Sequence, residues 1–286
     1  MKLKNIKTTA IAIAIIASSS TINAQSLKLP APSPLQKLDQ AFALSNIAIE
    51  YSRPSAKGRV IFGDLVPFGK IWRTGANNST QITFGEAVKI QNNAVAAGTY
   101  SLYTIPNKDN WEIMLNKDLT LGGNVADYKA ENEVLHIKVK PTTMANKTET
   151  LTINVANITP NTANIELNWE QTQVSFEVLA DIDSKIMKNI DNSLAADNRP
   201  YFQAASYYYE SGKDLNKALE WANKATEQNP KAFWMAAQKA KIELKLKDNK
   251  AAIATAEKVI ALAKEAKNDD YVKIGEKIIA DAKAAK

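Results

Sequence analysis

Over residues 35–178 the large apolar side chains recur at every second position, and from about residue 181 they recur at every fourth. That change of period limits the fold more than any other property of the chain. In "NIAIEYSR" Ile47, Ile49 and Tyr51 share one face, and in "TQITF" Ile82 goes with Phe84. "WEIMLN" aligns Trp111, Ile113 and Leu115, "VLHIKVK" aligns Leu135, Ile137 and Val139, and "TLTINV" aligns Leu151, Ile153 and Val155. "NIELNW" aligns Ile165, Leu167 and Trp169, "QVSFEV" aligns Val174, Phe176 and Val178, and "TYSLYTI" carries large residues on both faces. Each run is short and bounded by Gly, Asn, Asp or Pro. Eight or more such strands without intervening helices predict an antiparallel β-sandwich over 35–180.

"DIDSKIMKNIDNSLA" then places Ile182, Ile186, Ile190 and Leu194 along one stripe, which predicts a connecting helix over 181–198. Residues 199–286 are alanine-rich and helical in pattern. Asp214 and Asp248 are 34 residues apart, as are Ala218 and Ala252, and Ala225 and Val259. Phe202, Tyr209, Ala218, Ala225 and Pro230 are spaced as in a tetratricopeptide-like (TPR-like) helical hairpin, where small residues let two helices approach closely. The expected class is α+β multidomain, a sandwich followed by a TPR-like tail that docks on the sandwich or on a protein partner.

The N-terminus reads as an export signal. Lys2, Lys4 and Lys7 precede the apolar "TTAIAIAIIA", and small residues lead to a cut after Ala24. The apolar run is shorter than the roughly 20 residues of a membrane span, and no second one follows, so the mature chain is expected to have no transmembrane segment. A proline-rich spacer over 25–34 leads into the sandwich, and the expected location is periplasmic or extracellular. The chain has no cysteine, which excludes disulfides, thiolate metal ligands and a cysteine nucleophile. The formal charge of +6 is uneven: residues 25–198 net −2, and 199–286 net +5. A basic tail suits an acidic partner or a solvated helical surface, and no nucleic-acid partner is expected.

One stretch departs from both periods. "YSRPSAKGRVIFGDLVPFGKIWRTGAN" (51–77) holds three arginines, two lysines, two prolines and four glycines. "GDLVPFGK" is no phosphate loop: its glycines are too far apart, Ile71 replaces the hydroxyl after Lys70, and Pro67 removes a backbone N–H. His136, the sole histidine, falls on the outward face of its strand, and no G-x-S-x-G exists to pair with it. One histidine and no cysteine disfavour zinc, and no acidic loop has calcium-ligand spacing, so no metal, cofactor or catalytic residue is expected. Strand alternation aligns Arg53 with Tyr51 and Arg73 with Ile71, directing both guanidinium groups toward the core at the strand ends. There they need carboxylates, for which Glu149 and Asp64 are the candidates. Two arrangements stand open. Either an Arg–Glu clasp fixes the loop, with Glu149 the expected partner of Arg73, or Arg53, Lys57, Arg59, Asp64, Arg73, Asn77 and Glu149 line a cleft for an anion or sugar. Trp72, Trp111 and Trp169 are expected in the core.

The long stretch 51–77, with "AGTYSLYTIP", "WEIMLNKD" and "LNWE", resembles the secreted bacterial domain of unknown function family 2911 over about residues 35–178. The resemblance implies the domain boundary and export, and implies no activity. The expected function is therefore an exported, non-enzymatic binding or scaffold protein with a helical interaction tail. The alternative is a glycan-directed hydrolase using Glu149 and Asp64 as paired carboxylates.

Overall fold

The structure, a computed structural model, describes residues 29–195 and 200–285. The proposed signal segment lies outside them. Ten strands come first: β1 (Leu35–Phe42), β2 (Ser45–Ser52), β3 (Ala76–Phe84), β4 (Val88–Ile90), β5 (Asn93–Val95), β6 (Gly98–Ile105), β7 (Trp111–Asn116), β8 (Glu133–Val139), β9 (Thr142–Ala156) and β10 (Thr162–Ala180). They form two antiparallel sheets, ordered β1-β2-β3-β6-β7-β8 and β5-β4-β10-β9. The inward residues of both, among them Ile49, Ile82, Leu102 and Ile113 against Ile153, Leu167, Phe176 and Val178, form one continuous core. The period-two reading therefore chose the buried faces correctly, and His136 does point outward.

Two departures from the expected strands have physical causes. "NIELNW" and "QVSFEV" form one strand, β10, rather than two. Its pairing with β9 shifts register at Asn168/Glu170 and again at Glu170/Thr172, and Glu170 has φ 51°. A bulge of this kind turns the strand over, so Ile165, Leu167 and Trp169 point inward before it and Val174, Phe176 and Val178 after it. β1 carries too few large residues to show a period, because it is an edge strand. Its charges face solvent, with Lys37 Nζ 2.6 Å from Glu50 of β2.

The chain turns helical at once after β10. The helices are α1 (Asp183–Ala195), α2 (Tyr201–Glu210), α3 (Leu215–Gln228), α4 (Phe233–Lys245), α5 (Asn249–Glu265) and α6 (Asp269–Ala284). The positions that repeat at 34 residues play matching parts. Asp214 and Asp248 cap α3 and α5, while Ala218, Ala252, Ala225 and Val259 are all buried. α1 ties the two regions together. Ile182 belongs to the sandwich core and Ile190 to the core of the tail, while Ile186 packs against both. Asp183 accepts a hydrogen bond from Tyr207 Oη (2.6 Å) and pairs with Lys213 (2.7 Å), and Lys185 pairs with Glu86 of the sandwich. Among the described residues no helix is long and apolar enough to cross a membrane.

Candidate functional site

The 51–77 segment is bound to the sandwich at both ends, chiefly through its backbone. At its start the Ala56 N–H donates to the Glu149 carbonyl (2.7 Å), and the Leu151 N–H donates to the Pro54 carbonyl (2.9 Å). Lys57 and Gly58 follow with φ 50° and 72°, a left-handed turn that presents the Lys57 N–H to Glu149 Oε1 at 2.7 Å. At its end Trp72 and Thr104 of β6 exchange backbone hydrogen bonds. The indole of Trp72 sits in the core, 5.8 Å from that of Trp169 and stacked on it.

The expected arginine–carboxylate clasp is not formed. Glu149 is engaged by the Lys57 N–H, and Asp64 is exposed in the turn. Arg53 is half-buried as expected, but it donates to the Leu151 carbonyl (2.9 Å) and the Thr152 hydroxyl (2.7 Å). Arg59 folds back on its own turn, donating to the Ala56 and Ser55 carbonyls. Carbonyl oxygens of β9 and of the turn thus meet the guanidinium groups that sequence reasoning assigned to carboxylates. Arg73 also lies on the other side of the sheet from the one expected. Trp72 occupies the core face, so its neighbour Arg73 projects from the outer face. Asn77 donates to Ser52 Oγ at 3.1 Å.

A cleft of about 370 Å³ opens between the 61–70 turn, the 106–110 connection, the start of β9 and the bulge of β10. Its floor is aromatic: Phe62, Phe68 and Trp111, with Phe62 edge-on to Trp111 at 4.9 Å. Gly63 makes that floor possible. It has φ 98°, and a β-carbon there would stand 2.7 Å from the Phe68 ring. The rim is polar, with the amides of Asn107 and Gln171 and the hydroxyls of Thr142, Thr143 and Thr172. Three charged residues complete it: Lys108, Lys147 and Glu170. Glu170 Oε1 lies 3.0 Å from Lys147 Nζ, and its Oε2 accepts from the Ile61 N–H at 3.4 Å.

The 51–77 stretch therefore contributes to the cleft through Phe62 and Phe68, and none of Arg53, Lys57, Arg59, Asp64, Arg73, Asn77 and Glu149 lines it. Sequence reasoning missed Lys147 and Glu170 because they meet only where β10 bulges beside β9. The signal available was the switch of inward parity between Trp169 and Val174. Elsewhere on the outer face, His136 lies between Glu112 (2.6 Å) and Glu133 (2.9 Å). Partial burial pulls its pKa down, but the two carboxylates outweigh that and leave it raised above the ordinary 6.5.

Comparison with family models matches residues 33–178 to a protein of unknown function (DUF2911). No curated protein and no solved structure matches the chain.

Proposed function

The chain belongs to the family of proteins of unknown function DUF2911, and on that premise we propose that it is an exported, non-enzymatic binding protein. In this reading the sandwich takes a sugar or an anionic sugar derivative in its end cleft, and the TPR-like tail contacts a protein partner. The observation that carries the reading is the composition of the cleft. An aromatic floor under a rim of amides and hydroxyls suits a ring with one apolar face and a polar edge. The two lysines would favour an acidic substituent.

The hydrolase alternative asks for two carboxylates roughly 5–9 Å apart and facing each other. Glu170 is the one carboxylate among the lining residues and is held by Lys147, while Asp64 and Glu149 lie outside the lining. That arrangement favours binding. In the tail, a groove of about 500 Å³ has Tyr209, Leu244, Ile274 and Ile278 as its apolar part and Lys241, Lys245 and Lys277 at its rim. Lys277 is paired with Asp281 at 3.0 Å, and the net positive charge suits an acidic segment with apolar side chains from a partner protein.

Titrating the mature protein with neutral hexoses and hexuronic acids, while following tryptophan emission and thermal melting, tests the cleft. The expected result is a saturable change that Lys147→Ala weakens for the acidic sugars. No response from any of them would refute the assignment. Intact mass of the protein recovered from the cell envelope or medium tests export, and a full-length species in the cytoplasm would reject it.

A further inference from the structure

The outer face of the six-stranded sheet holds a second polar constellation, away from the cleft. The bridge Trp72↔Thr104 is antiparallel, so the next rung sets Arg73 beside Tyr103 on the face opposite the core. An outward tyrosine on a strand is normally wet, yet Tyr103 is 0% exposed. The 117–132 connection roofs it, with Tyr128 edge-on to its ring at 5.0 Å. The roof comes down closely at Gly123, where a β-carbon would stand 2.9 Å from the Asn77 carbonyl and 3.5 Å from Arg73 Cδ.

Two buried polar atoms under this roof have no partner among the described residues: Arg73 Nε and the Tyr103 hydroxyl. The neighbouring hydroxyl of Ser79 is paired with Ser101 at 3.1 Å. The terminal nitrogens of Arg73 form no hydrogen bond to described residues either, but they are not shut off from solvent as Nε is. Burial is the largest influence on the Tyr103 phenol and raises its pKa; the adjacent Ser79 hydroxyl and the positive charge of Arg73 act against that rise, and the negative charge of Asp118 adds to it. Asp118 is also close, but Thr120 caps its carboxylate through both N–H (2.8 Å) and hydroxyl (2.7 Å).

A buried, unpaired guanidinium N–H and a buried, unpaired phenol are each costly, and both are donors. One acceptor would satisfy the pair, and the charge of Arg73 selects an anionic one. We propose that Arg73 and Tyr103 form a binding site for a small oxyanion, a carboxylate or phosphate group, beneath the Gly122–Gly123 roof. The site goes beyond the cleft reading and stands whether or not the cleft binds sugar.

The test compares sodium phosphate, sodium acetate and sodium chloride at equal ionic strength on the full mature protein, by thermal melting and calorimetry. Phosphate or acetate should stabilise saturably and chloride should not, and the stronger of the two identifies the ligand class. Tyr103→Phe keeps the ring and removes the orphan hydroxyl. It should melt at or above the wild-type temperature without the anion and bind about tenfold more weakly, the usual scale of one charge-assisted hydrogen bond. Arg73→Gln should abolish the response, and Lys147→Ala, in the cleft, should leave it unchanged. No oxyanion-specific response in the wild type, or an equal response in Tyr103→Phe, would overturn the proposal and assign the two orphans to a buried water.

Discussion

The sandwich and the helical tail bury apolar surface in opposite ways. The sandwich has one core, filled by Trp, Phe, Ile and Leu from strands far apart in sequence. The tail has three smaller clusters in which alanine predominates, each joining helices that are neighbours in the chain. A buried alanine removes little area from water, but it lets backbones approach closely. The sandwich therefore gains its stability from large side chains and fails when one is removed. The tail depends on the absence of bulk and fails when bulk is added. Its local contacts also make it the region that should open first.

The largest effect should come from Trp169→Ala, since Trp169 is fully buried, stacks on Trp72 and donates to the Glu149 carbonyl. A loss of about 3–5 kcal/mol in denaturant unfolding is expected. If tail and sandwich then unfold together, the two regions are one cooperative unit and the contrast fails. Next, a fragment of residues 25–180 should fold cooperatively into β-structure by circular dichroism. It should be weaker by about 1.5–3 kcal/mol than one ending at 195, because Ile182 fills the sandwich core from beyond the cut. An unfolded fragment would make the tail part of the sandwich's own core.

Adding bulk tests the other side. Ala252 is fully buried between tail helices, so Ala252→Leu should cost about 1–3 kcal/mol in the tail and leave the sandwich transition unmoved. A smaller effect is expected from pH. Because folding raises the pKa of His136, its contribution is complete below 6.5 and fades as pH rises through the raised value. Its side chain is 42% exposed, so the change should stay below about 1 kcal/mol, appear in the sandwich transition alone, and vanish in His136→Gln. The smallest effect is the coupling of Arg73 and Glu149. They share no contact, so a double-mutant cycle by urea unfolding should be additive within about 0.3–0.5 kcal/mol. A larger coupling would restore the clasp.

The regular parts were legible because period two and period four report burial directly. All the inward residues named from Ile47 to Val178 are buried, and of the three pairs spaced 34 residues apart, Ala218/Ala252 and Ala225/Val259 are buried while Asp214 and Asp248 cap helices. The site was less legible. Arg73 was assigned to the core side by alignment with Ile71, whereas burial followed Trp72, the larger apolar neighbour. Arg53 was given a carboxylate because a buried cation needs acceptors, and sequence cannot show that backbone carbonyls of β9 supply them. Glu170 and Lys147 come together through a bulge, which the sequence marks only as a switch of inward parity between Trp169 and Val174 and not by the residues it joins. Tyr103 read as one large residue among many in "TYSLYTI", and only the roof makes its hydroxyl costly.

The place of β10 in the second sheet also fixes an order of assembly. It is the last strand to be synthesised, yet it sits between β4 and β9, so the β4–β5 hairpin and β9 are not joined into one sheet until residues 162–180 have emerged. Until then the layer facing the six-stranded sheet lacks its central strand, and Ile49, Ile82, Leu102 and Ile113 lack the Ile165, Leu167, Phe176 and Val178 side of their core. A chain passed through a narrow channel from its N-terminus would meet the same delay on the far side. Closing the sandwich is thus a late event, timed by when one strand arrives rather than by how fast the earlier ones can pair.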